Sequence, residues 1–138
     1  MRGMRTSLYI PALLSLALAG FGANAQPAPV TTASGLVYQS LKEGSGASPA
    51  ATDTVRVNYR GTFMDGREFD GSHGQPVEFP LNRVIKCWTE GVQMMKPGGT
   101  ARLTCPAAIA YGEKGAGGVI PPNATLMFEV ELLSVKKQ

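Results

Sequence analysis

The stretch DTVRVNYRGTFMDGREF, residues 53–69, decides how this chain is read. Val55, Val57, Tyr59, Gly61 and Phe63 fall on one side of a period-two repeat, with Arg56, Asn58, Arg60 and Thr62 on the other. Side chains alternate between faces along a strand, so this run is a half-buried β-strand. Asp65-Gly66 separates it from Arg67-Glu68-Phe69, and Asp-Gly between extended segments signals a tight hairpin. Outward from this unit, Leu36 to Lys42 and Val77 to Leu81 read as shorter strands. Ala101, Leu103 and Cys105 alternate with Arg102 and Thr104, and Leu126, Phe128, Val130 and Leu132 alternate with Met127, Glu129 and Glu131.

One segment has helical spacing. Between Ile85 and Met95, Trp88, Gly91, Val92 and Met95 recur at i, i+3, i+4 and i+7, one stripe of a short helix that Pro97-Gly98-Gly99 ends. Two to three turns are marginal alone, so a sheet must cover them. The pattern predicts an α+β domain, an antiparallel sheet curved around one short helix. No internal repeat is visible.

The 138 residues are enough for one ordinary domain. Hydrophobic residues make up 43% and charged residues 17%, enough apolar matter for one core. The 17 glycines and 10 prolines favour turns over a helical bundle. Formal charge is +3. Arg2 and Arg5, in the first 25 residues, account for most of it, so nucleic acid has little electrostatic support as a partner. The start MRGMRTSLYIPALLSLALAGFGANA has a basic beginning, an apolar run from Leu8 to Phe21 and a small-x-small end at Ala23-Asn24-Ala25. This is the pattern of a secretory signal peptide, cleaved after Ala25. The apolar run is shorter than the ~20 residues that span a bilayer, so no membrane attachment is expected after cleavage. Residues 26–35 then read as a short Pro- and Ala-rich linker, and residues 36–138 as the folded domain, exported to a periplasm or secreted.

Most enzyme chemistries fail on inspection. One histidine and two cysteines are too few for a His- or Cys-built zinc site. The glycine-rich GEKGAGG of residues 112–118 has no Gly-Lys-Ser/Thr ending and runs into Val119-Ile120-Pro121-Pro122 rather than a helix, so it reads as a flap and not as a phosphate loop. Asp65 belongs to the hairpin turn, Glu68 to a solvent-facing position and His73 to a loop without a visible partner. Asp70, beside the apolar Phe69, is the remaining carboxylate of interest. What is left is a set of aromatics without nucleophiles: Tyr59, Phe69, Trp88, Tyr111 and Phe128. They are candidates for one concave apolar site, or simply for the core.

Three blocks, VNYRGTFMDGREFDGS (57–72), VIKCWTEGVQMMKPGGTARLTCP (84–106) and AYGEKGAGGVIPPNATLMFEVELL (110–133), resemble the FKBP family of peptidyl-prolyl cis/trans isomerases. The resemblance covers about residues 36–135. It implies a five- to six-stranded antiparallel half-barrel wrapped round a short helix, no cofactor, and proline-containing polypeptides as substrates, with tacrolimus and rapamycin as ligands. Carried over by position, Tyr59, Phe69, Val84, Ile85 and Phe128 would wall the proline pocket and Trp88 would floor it. Asp70 would be a buried polar group beside it. Tyr111 would offer its hydroxyl, and Ile85 its backbone N–H, to substrate carbonyls, while Ile120 would lie on the closing flap. The sequence departs from the family at Val77, where many members carry phenylalanine in the pocket wall, at Ala116 on the flap, and at Cys87, in place of glycine before the tryptophan.

The resemblance implies an exported isomerase, and a non-catalytic chaperone or proline-peptide binding module using the same groove is the competing class. Exported relatives carry a long helical dimerisation arm, whereas only about ten residues precede the domain here, which implies a monomer. Cys87 and Cys105 are the two cysteines of a chain bound for an oxidising compartment. Cys105 shares the inward phase of Ala101 and Leu103, and Cys87 opens the helix this sheet should cover. The pair is expected to form a disulfide; two buried free thiols are the alternative.

Overall fold

The computed structural model describes residues 27–138. The signal peptide read from residues 1–25 lies outside them. Seven strands form one open antiparallel sheet: β1 (Val30–Thr31), β2 (Val37–Lys42), β3 (Thr54–Phe63), β4 (Glu68–Gly71), β5 (Val77–Pro80), β6 (Thr100–Cys105) and β7 (Leu126–Lys136). Among the described residues there is one α-helix, α1 (Lys86–Val92), between β5 and β6 in the chain. The spatial order is β1-β2-β6-β7-β3-β4, with β5 pairing on β3 as well. The sheet has more strands than the five or six expected for two reasons. Residues 30–31, read as part of a linker, add a short edge strand opposite Tyr38 and Val37. And β3 carries two partners on one edge, β5 along Thr54–Val57 and β4 along Arg60–Thr62.

The two long strands, β3 and β7, pair from Thr54↔Lys136 to Phe63↔Leu126 and form the spine of the sheet. Their alternation emerges as read: Val55, Val57, Leu126, Val130 and Leu132 are fully buried, and Arg56, Arg60 and Glu129 are exposed. Thr62 breaks the pattern. Assigned by phase to the polar face, it is buried, because the register of β3 against β4 shifts between Gly61 and Thr62. The hairpin forms at Asp65-Gly66. Gly66 takes φ +93°, and Asp65 accepts the Arg67 N–H at 3.0 Å.

The helix is shorter than its apolar stripe. It ends at Val92, and Met94 and Met95 bond back three residues to Gly91 and Val92 in a tightened turn. Pro97 explains this, since the residue before a proline avoids the α region and the chain must leave the helix. Even so, Trp88, Gly91, Val92 and Met95 are all buried, so the stripe marks the inner face correctly. Gly91 sets how closely α1 can seat: a Cβ there would fall 2.8 and 2.9 Å from the two methyls of Leu103 on β6. Cys87 and Cys105 are joined by a disulfide between α1 and β6, with Cα atoms 5.8 Å apart and both residues fully buried.

Candidate active site

The site grows from the face where α1 meets the sheet. Trp88 is 4% exposed and lies at the centre of three rings set nearly edge-on, Tyr59 at 5.1 Å, Phe128 at 5.5 Å and Phe79 at 5.7 Å, with Phe69 packed edge-on against Phe128 at 5.6 Å. Edge-to-face packing lets each ring point its positive rim at a neighbour's negative face, so the cluster is rigid as well as apolar. Gly61 makes room for it. A Cβ at Gly61 would lie 2.8 Å from Cζ of Phe69 and 2.9 Å from Cε1 of Phe128.

Above Trp88 opens a cavity of about 440 Å³, lined by Tyr59, Asp70, Phe79, Arg83, Val84, Ile85, Trp88, Tyr111 and Phe128. Strand β3 supplies Tyr59, β4 supplies Asp70, β5 supplies Phe79 and β7 supplies Phe128. Arg83 ends a 3-10 turn over Leu81–Arg83, and Val84 and Ile85 lead from it into α1. Phe69 and Ile120 line an adjoining recess that shares Asp70 and Tyr111 with the main cavity. Seven of the ten residues named as site candidates therefore converge on one cavity, and two more border it through the recess.

Val77 is the exception. It packs half-buried against the core and does not line the cavity; the wall at β5 is Phe79. Both residues share one face of the strand, but only the longer Phe79 side chain reaches the Tyr59 and Trp88 rings. The signal was present in the sequence as the i, i+2 phase of Val77 and Phe79. Arg83, also missed, has no periodic signature: its place depends on the turn that precedes α1.

Asp70 corrects the expectation of a buried polar group. It lies on an edge strand whose residues alternate outward and inward, and it is exposed at the cavity rim. Its carboxylate accepts hydrogen bonds from the Tyr59 hydroxyl and the Gly71 N–H, each at 2.8 Å. Burial, and then the bond to Asp70, push the Tyr59 phenol well above its ordinary value. Burial and the Asp70 charge raise Tyr111 in the same direction. Both hydroxyls thus stay protonated at neutral pH. Tyr59 spends its proton on Asp70. The hydroxyl of Tyr111, a residue 39% exposed, has no hydrogen-bond partner among the described residues, nor does the Ile85 backbone N–H. Two free donors therefore border an apolar cavity. The indole N–H of Trp88 is also buried without a partner among the described residues.

Fold and site together define a class: an open antiparallel sheet around one short helix, with a ring-walled apolar cavity bordered by hydrogen-bond donors and no cluster of three or more metal-ligating side chains among the described residues. Residues 46–133 match the family model described as FKBP-type peptidyl-prolyl cis-trans isomerase, and the chain belongs to that family. It is 54% identical over 109 residues to the FKBP-type peptidyl-prolyl cis-trans isomerase FkpA of Aeromonas hydrophila, a match covering 78% of this chain and 40% of that relative. The crystal structure of FkpA from Escherichia coli superposes with a TM-score of 0.77 at 44% identity, covering 91% of this chain and 59% of that one. A peptidyl-prolyl cis-trans isomerase structure from Pseudomonas syringae gives 0.76 at 36% identity, covering 95% of this chain and all of the other. The chain thus spans less than half the length of the Aeromonas relative.

Proposed function

We propose that this domain accelerates cis/trans exchange of X-Pro bonds in polypeptides, with the proline ring against Trp88. The observation that carries the reading is the cavity itself: rings on its floor and walls, and two unpartnered donors, Tyr111 and Ile85 N–H, at its edge. An X-Pro bond prefers trans by only ~0.5–1 kcal/mol, yet exchanges over roughly tens to hundreds of seconds because amide resonance resists rotation. At the twisted midpoint the C–N bond loses double-bond character and the amide loses charge separation. A pocket poor in water disfavours the dipolar planar amide more than the twisted one, which lowers the barrier. Donors that hold the chain on both sides of the proline keep that geometry in place. Nothing in this route asks for a nucleophile or a proton relay.

The domain is further proposed to act on exported proteins in the periplasm or outside the cell, as the signal-peptide pattern supports. Tacrolimus and rapamycin are proposed as ligands of the same cavity on the family's account. A monomer is proposed too: of the exposed large apolar side chains, Val30, Met64 and Met94 lie on separate segments of the chain, and Tyr111 and Val119 border the recess beside the cavity. Exchange spectroscopy on a short X-Pro peptide tests the activity directly. Faster exchange at catalytic amounts of folded protein is the expected result. Binding without acceleration would make the domain a docking module, and would refute the enzyme reading.

A further inference from the structure

One charge in the cavity has no partner. Asp70 is engaged by Tyr59 and Gly71, but Arg83, which lines the same cavity, makes no ion pair or hydrogen bond among the described residues. Its position is set firmly. Leu81, at the head of the same 3-10 turn, is fully buried; its N–H is bonded to the Asp53 carbonyl at 2.9 Å, and its carbonyl accepts from the Thr89 hydroxyl at 2.7 Å. The turn is thus tied to the residue that leads into β3 on one side and to α1 on the other. Arg83 stands two residues before Ile85, whose N–H is the free donor on that side of the cavity. Asp70 belongs to the strand β4, and is not ion-paired with Arg83, so the cavity carries a cationic edge and an anionic edge that do not neutralise each other by contact. The groove beyond Val84 adds Lys86 and Glu90; the Glu90 carboxylate accepts from the Ser34 hydroxyl at 2.5 Å. Lys86 makes no ion pair among the described residues either, but it lines only that groove; Arg83 is the unpaired cation of the cavity itself, where a bound chain would leave the proline pocket.

We propose that Arg83 is a specificity-determining residue, favouring polypeptides that carry an acidic side chain next to the proline on the flank held by the Ile85 N–H. This rests on the isomerase reading above and adds the substrate class to it. A guanidinium can take a carboxylate with two parallel hydrogen bonds, and a lysine in that place would be repelled. The cavity mouth is open to water, so the gain is modest and screened by salt.

The test is a set of end-capped, otherwise neutral peptides with Glu, Gln or Lys immediately before or immediately after the proline, assayed for kcat/KM. At low ionic strength Glu should exceed Gln by about three- to fivefold at one of the two positions, with Lys below Gln, and the difference should shrink towards none at 1 M salt. Arg83→Gln should erase the Glu-to-Gln ratio and Arg83→Glu should invert it in favour of Lys. Folding of both variants is checked by thermal unfolding, and Arg83→Lys, which keeps the charge, should retain part of the ratio. Equal rates for Glu and Gln peptides at both positions in wild-type protein would overturn the proposal, as would a ratio that survives Arg83→Gln. A wild-type protein that fails to accelerate even the Gln peptides would instead refute the isomerase reading, and with it the basis of this one.

Discussion

Replacing Gly61 with alanine tests whether the aromatic cluster is packed as tightly as its geometry implies. The added methyl would start 2.8 Å from Phe69 Cζ and 2.9 Å from Phe128 Cε1, against the ~3.5–4.0 Å of an unstrained carbon contact. One or both rings must then move by roughly 0.6–1.2 Å to restore that spacing. Phe128 cannot retreat freely, because Trp88 stands behind it at 5.5 Å and the residue is 3% exposed. Gly61 has an ordinary φ, so the cost lies in packing and not in the backbone. Overpacking of this kind costs about 1–3 kcal/mol, and about 4 °C or more of melting temperature per kcal/mol in a domain of this size. The assay is urea unfolding together with X-Pro peptide exchange, on Gly61→Ala, Phe69→Leu and the double variant. Leucine lacks the Cζ atom, so the double variant should be less destabilised than the sum of the two singles. Exchange should fall in Gly61→Ala by more than the fraction unfolded accounts for, since Phe128 is a wall of the cavity. A single variant within about 0.5 kcal/mol of wild type, or strict additivity of the pair, would refute the packing argument.

Tyr111→Phe should leave the unfolding curve unchanged and reduce peptide exchange moderately, whereas Phe128→Ala should cost about 3–5 kcal/mol in stability and abolish most exchange; full activity in Tyr111→Phe would remove the hydroxyl from the donor set. Breaking the Cys87–Cys105 bridge, which spans 18 residues of sequence, should lower stability by about 3 kcal/mol, and thiol labelling of denatured, unreduced protein should find no free cysteine; two reactive thiols per chain would contradict the pairing. Asp53, whose carboxylate accepts from the Ala50 N–H at 2.8 Å and from Lys137 at 2.9 Å, is held below the ordinary carboxylate range by those bonds. The folded state thus favours the ionised form, so this contribution is complete above the unfolded value of about 3.9 and is lost as the pH falls through the lower folded value. Unfolding measured from neutral pH to pH 2 should show a steeper acid loss in wild type than in Asp53→Asn, and parallel curves would contradict it.

Local sequence was a sufficient guide wherever one face of an element meets the core and the other meets water. The alternation through Val55 and Val57, and again through Leu126 and Phe128, determines which face of β3 and β7 is buried, because a slip of one residue would turn the whole apolar set outward. The stripe of Trp88, Gly91, Val92 and Met95 fixes the inner face of α1 in the same way, and the shared inward phase of Ala101, Leu103 and Cys105 turns Cys105 towards Cys87. The aromatic residues could be assembled into a pocket only through their likeness to a family, since each alone reads equally well as core.

Tertiary structure decided what depends on edges, ends and side-chain reach. Asp70 is exposed because β4 is a sheet edge, a property of its neighbours and not of its own residues. Thr62 is buried because the β3–β4 register shifts beside it. Residues 30–31 gain order only from the β2 edge they pair with. Val77 and Phe79 are indistinguishable by phase, and the choice between them rests on which side chain spans the distance to Trp88. Arg83 reaches the cavity because Leu81 is tied to Asp53, at the entry to β3, and to Thr89 on α1, contacts across 28 and 8 positions of the chain that no local pattern encodes.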